Sequence, residues 1–140
     1  MAVYKIYPDK DNTIYSAYPL MNTGLDQIIE IQNQPSSSNN DAQVSRILIQ
    51  FPTSTIKETI IKAGGPGNYE AFLKLFVANA TELPDNYTLY INPVSQSWEV
   101  GTGRFLYNPS VTTNSTWIQR NNSNDWRTSS FASDTTASFQ

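Results

Sequence analysis

The sequence predicts an all-β, jelly-roll-like β-sandwich with one short helix near residues 55–63. Three observations carry that expectation. Apolar and polar residues alternate with the two-residue period of a strand in 46–51, 71–77 and 87–94. Clusters of Pro, Gly, Asn and Asp punctuate the chain between such runs. Only one stretch has helical spacing, and neither a heptad nor an internal repeat is present. A chain of 140 residues has room for a single core.

Val3, Tyr4, Ile6 and Tyr7 read as a first strand, stopped by the turn signal Pro8-Asp9-Lys10-Asp11-Asn12. Thr13-Ile14-Tyr15 is a short β-rich piece, followed by the turn Asn22-Thr23-Gly24. Ile28, Ile29 and Ile31 predict another strand before the polar loop 33–40, which lacks apolar residues and is expected to be exposed. In the strand 46–51, Ile47, Ile49 and Phe51 face one way and Leu48 the other, so neither face is wholly wet.

Thr55-Ile56-Lys57-Glu58 has capping-box spacing, and Ile56 and Ile60 share a helical face. Ala63-Gly64-Gly65-Pro66-Gly67 ends that helix. Leu73, Leu75 and Val77 then alternate against Phe72, Lys74 and Phe76, and Leu89 and Ile91 against Tyr90. Ile47, Ile49, Phe51, Leu73, Leu75 and Val77 are expected in one buried core. The sandwich is placed at 1–126. A Ser/Thr-rich tail, or the start of a linker, follows at 127–140, with Phe131 and Phe139 as its large apolar residues.

Composition narrows the function. Cysteine and histidine are both absent, which removes disulfides, thiolate chemistry, Cys/His zinc sites and Ser-His or Cys-His catalysis. Net charge is −3 and the basic residues are scattered singly, so nucleic acid is not expected as a partner. No stretch approaches the ~20 apolar residues of a membrane helix. The opening Met1-Ala2-Val3-Tyr4-Lys5 lacks the features of a signal peptide. No cofactor is implied, and the chain is expected not to be an enzyme.

Several ordered pieces resemble the DNRLRE-type β-sandwich domains, which look like carbohydrate-binding modules. Asp11-Asn12-Thr13-Ile14 echoes that family's Asp-x-x-Ile, and Asn22-Thr23-Gly24 its Asn-Gly turn. Ser45-Arg46-Ile47-Leu48-Ile49-Gln50-Phe51 matches its Ser-Arg-x-Leu-x-x-Phe strand. Ala71-Phe72-Leu73-Lys74-Leu75 matches Ala-x-Leu-x-Leu, and Trp98 and Thr116-Trp117 match later tryptophan positions. The wording from Val3-Tyr4-Lys5-Ile6-Tyr7-Pro8 to Met21-Asn22-Thr23-Gly24-Leu25-Asp26 is similar to structural proteins of marine tailed phages, especially cyanophages. The resemblance implies a virion component, in an appendage or surface decoration, that contacts other virion proteins, further copies of itself or a host-surface glycan. Family domains carry more strands after the Thr-Trp piece, so a partner chain or a longer protein is expected to complete the sandwich. Phe131 and Phe139 are the expected anchors.

The remaining candidates have bland readings beside the functional ones. Asp9 and Asp11 could offer oxygens to calcium, but the spacing is not that of an EF-hand and solvated turn residues explain them. Trp98, Trp117 and Trp126, with Tyr107, could stack sugar rings. The resemblance puts Trp98 and Trp117 in the core, leaving Trp126 as the expected exposed ring, with Arg120 and Arg127 beside it. Glu99 and Asp125 could pair as acid and base only at a separation the sequence does not supply. Asn79-Ala80-Thr81, Asn86-Tyr87-Thr88 and Asn114-Ser115-Thr116 satisfy the glycosylation sequon, as Asn- and Thr-rich chains do by chance. Gly101-Thr102-Gly103 reads as a turn.

Overall fold

β1 (Lys10–Tyr15), β2 (Asn33–Pro35), β3 (Ala42–Gln50), α1 (Thr53–Lys62), β4 (Gln119–Asn121) and β5 (Asn124–Asp125) follow one another along the chain. The computed structural model describes residues 2–35, 42–80 and 86–127. Their fold is small and sheet-rich with one short helix, and no helix among them is long and apolar enough to cross a membrane. β3 is central in a three-stranded sheet of order β1-β3-β2. β2 runs antiparallel to it, with Asn33 opposite Val44 and Gln34 opposite Gln43. β4 and β5 form a separate antiparallel pair. The chain divides into two compact units, Lys10–Ile49 with Ile91–Gln140 and Met1–Asp9 with Gln50–Tyr90.

In the first of these units, Ile14, Leu48, Trp98 and Trp126 are buried together, with Val94, Val100 and Trp117 packed against them. β3 sends Leu48 inward, while Ile47 and Ile49 are half-buried. The expected inward face of Ile47, Ile49 and Phe51 is therefore corrected. Two indoles and Ile14 supply the apolar volume on the Leu48 side, and that volume selects the face. Arg46, two residues earlier on the same face, lays its guanidinium 4.4 Å from the centre of the Trp117 ring. In β1, residues 12–15 are all buried, so the strand is covered on both sides.

Two local expectations shift and one holds. Lys10, Asp11 and Asn12 belong to β1 rather than to a turn, because the Asn12 amide is held by distant groups in the fold. Ile28, Ile29 and Ile31 form no strand, and Asn33–Pro35 of the expected loop pairs instead. The Asn22-Thr23-Gly24 turn is present, closed by the Asp26 N–H donating to the Thr23 carbonyl at 2.9 Å.

In the other unit, α1 begins two residues before the capping-box spacing. Pro52 holds the N-cap with φ −65° and no side chain caps the end, so Thr55 and Glu58 lie inside the helix. Its C-terminus follows the glycines as read. Gly64 turns left-handed at φ 96°, its N–H donates to Ile61 and that of Gly65 to Ile60, which is the Schellman arrangement. Ile56 and Ile60 are half-buried on one face and Ile61 is exposed.

The strands expected at residues 3–7, 71–77 and 87–94 do not form among the described residues. Leu73, Leu75 and Val77 are exposed instead of joining the core. Alternation creates a buried face only when a neighbouring strand supplies a ladder. Among the described residues, no backbone hydrogen bond engages 69–80 or 86–90.

Candidate functional site

The described residues offer two sites of opposite character: a buried polar junction and an exposed apolar segment. The junction is built around Asn22, whose turn carries it beneath residues 100–103. Its Nδ2 donates to the Val100 and Ser115 carbonyls, each at 2.8 Å. Its Oδ1 accepts from the Gly103 N–H at 2.8 Å and the Gly24 N–H at 3.2 Å. Both donors and both acceptor positions of the amide are thereby used.

Asn12, in β1, donates to the Ser115 carbonyl and hydroxyl at 2.9 and 2.8 Å. The Thr23 hydroxyl reaches the Thr13 carbonyl at 2.6 Å and Asn12 Oδ1 at 3.0 Å. Glycine at 101 and 103 lets this backbone approach, since a Cβ at either position would collide with Asn22. Each side chain named here is engaged by at least one partner inside the fold, so the junction acts as a clamp that ties the β1 region and the Asn22 turn to residues 100–103 and 115. Sequence reading took Asn22-Thr23-Gly24 and Gly101-Thr102-Gly103 as separate turns and missed that they interlock. Two short turns, each with a paired Asn/Gly or Gly/Gly, were the available signal.

The aromatic candidates do not form a platform. Trp126, expected as the exposed ring, is 1% exposed, and its indole N–H donates to the Thr116 carbonyl at 2.9 Å. It joins Ile14, Leu48 and Trp98 in the core, which provides more apolar contact than its polar flanks suggest. Trp98 is buried as the resemblance implies. Trp117 is half-buried under Arg46.

Tyr107 is exposed. Arg120 reaches away to the Ser97 carbonyl and hydroxyl at 2.9 and 3.2 Å, and Arg127 pairs through its backbone with the Gln96 side chain. Phe131 and Phe139 lie outside the described residues. Glu99 and Asp125 are both exposed, as are Asp9 and, in part, Asp11. Among the described residues no group of three or more acidic side chains is arranged to hold a metal ion. In the sequon at Asn114, Ser115 and Thr116 are fully buried.

Burial pushes the Tyr15 hydroxyl far above the ordinary tyrosine range, helped by its 2.8 Å hydrogen bond to Glu30 and the charges of Glu30 and Asp26. Tyr15 and Tyr18 pack edge-on to the Phe105 ring at 5.2 and 5.6 Å. Burial also lowers the Arg46 pKa.

The second site is the apolar segment 69–77 with Tyr87, Leu89 and Tyr90. Phe72 and Phe76 are 84% and 81% exposed, and Val77 and Tyr90 are comparably bare. Lys74 folds its ammonium over Phe76 at 4.9 Å from the ring centre, shielding little of it. Scattered exposed apolar residues are ordinary, whereas these are consecutive along the chain and alternate with the period of a strand. Compared with protein-family models, curated proteins and solved structures, the chain matches none.

Proposed function

We propose that the chain is a non-enzymatic structural module of a phage particle, docking on other virion proteins or on copies of itself as part of an appendage or surface decoration and so aiding host attachment. One observation carries the assembly part: the strand-like run Ala71–Val77 stands exposed with its backbone unengaged among the described residues. Such a run is an aggregation hazard unless a partner covers it. The jelly-roll-like sandwich belongs to the same proposal, with 71–77 and 87–94 becoming strands when a neighbouring chain supplies the ladder. Phe131 and Phe139 are proposed as further anchors. The phage particle comes from the resemblance of residues 3–26 to tailed-phage structural proteins. The alternative, a solitary carbohydrate-binding module, has less support, because Trp98 and Trp126 are buried and Arg46 covers Trp117.

The test is the full chain in solution, by size-exclusion chromatography with light scattering and by amide hydrogen exchange. An oligomer with protected amides in 71–77 is expected. A monomer that exchanges freely and is cleaved by protease within 69–80 overturns the reading.

A further inference from the structure

We propose that the partner of the exposed segment is a second copy of this chain, paired antiparallel through residues 69–75 with Glu70 of each copy opposite Lys74 of the other. The inference rests on the assembly reading above and names its partner. An antiparallel pairing of a segment with itself is two-fold symmetric, so each contact off the axis occurs twice. A register that sets Glu70 against Lys74 also sets Phe72 against Phe72, Ala71 against Leu73 and Tyr69 against Leu75. The odd-numbered face is then apolar throughout, and the even-numbered face holds an aromatic pair flanked by two ion pairs.

Shifting each strand so that Leu73 is central puts Lys74 opposite Phe72 and Glu70 opposite Phe76. Centring on Lys74 sets two ammonium groups together, which is repulsive. Only one face-preserving register therefore satisfies both charges. Glu70 and Lys74 are exposed and, among the described residues, neither has an ion-pair partner. The backbone of 69–75 is likewise unengaged there, leaving its N–H and C=O groups free for a ladder.

The experiment is sedimentation equilibrium of the full chain as wild type, Glu70→Lys, Lys74→Glu and the double reversal. Circular dichroism confirms that each variant folds, as both side chains are exposed. Each single reversal places like charges opposite one another twice, and should weaken self-association on the order of tenfold or more. The double reversal should restore it. An oligomer indifferent to the single reversals, or weakened by them without rescue, overturns the self-pairing while the assembly reading stands. A wild-type chain that stays monomeric at every concentration overturns the self-pairing, and one that also exchanges freely and is cleaved within 69–80 overturns the assembly reading with it.

Discussion

Asn22→Ala is the sharpest test of how the fold is held. The side chain is fully buried and its amide serves four backbone groups: the Val100 and Ser115 carbonyls and the Gly24 and Gly103 N–H groups. Alanine leaves all four without that partner. A buried unsatisfied group costs about 1–3 kcal/mol, but the Ser115 carbonyl keeps the Asn12 amide as a donor, so the costs do not add in full. The expected loss is about 3–5 kcal/mol, a large share of the ~5–15 kcal/mol that holds an ordinary domain. Urea unfolding followed by tryptophan fluorescence reads it directly, since Trp98 and Trp126 lie in the core of the same unit. With a slope of roughly 1–3 kcal/mol per molar, the midpoint should fall by more than ~1 M. Asn22→Asp keeps the acceptor for the two N–H groups but turns an oxygen toward two carbonyls. It should lose at least as much stability at neutral pH and recover part of it when acid restores a donor. A loss below ~1 kcal/mol for Asn22→Ala would refute the clamp.

Leu48→Ala removes the one fully buried side chain of β3 and should cost ~2–5 kcal/mol in the same urea assay, well above the cost of Ile47→Ala. Because burial raises the Tyr15 pKa, the unfolded chain ionises from about pH 10 upward while the folded chain stays neutral. Stability supplied by the neutral form is complete below that pH and is lost as pH rises; Tyr15→Phe should flatten the alkaline decline in melting temperature. Phe76→Ser removes an exposed ring without touching the core and should lower the oligomer fraction in light scattering, leaving the urea midpoint within ~0.5 kcal/mol of stability.

β3 and α1 were legible because each carries its own local signature. Alternation around Ile47, Leu48 and Ile49 locates the strand, and Gly64-Gly65 ends the helix through backbone freedom that other residues lack. The choice of face in β3 was not legible, since Trp98 and Trp126 lie far away in sequence and decide it by volume. Lys10–Asn12 read as a turn because Asp and Asn are usually turn formers. Here Asn12 is drawn into β1 by Ser115, 103 residues away, which no local pattern reports. Trp126 misled for the related reason that its neighbours are polar while its own ring is enclosed. Leu73, Leu75 and Val77 carry a strand pattern whose partner is not supplied by the described residues. Local periodicity shows that such a residue is fit to be buried and leaves open which chain buries it.

The polar junction also imposes an order on synthesis. A ribosome delivers Asn12 and Asn22 long before the Ser115 groups that bind both amides, and Trp126 emerges later still. Ile14 and Leu48 wait first for Trp98 and then for Trp126 before both enclosing indoles are present, and β1 cannot be locked until Ser115 follows. The loop between the two halves of this unit contains residues 69–77, so the alternating apolar run is already outside the ribosome while the clamp is still open. Long-range closure of this kind is slow, and half-made chains on neighbouring ribosomes meet with their stickiest stretch uncovered. Slower elongation over residues 91–126 should therefore raise the yield of aggregate, and faster elongation should lower it.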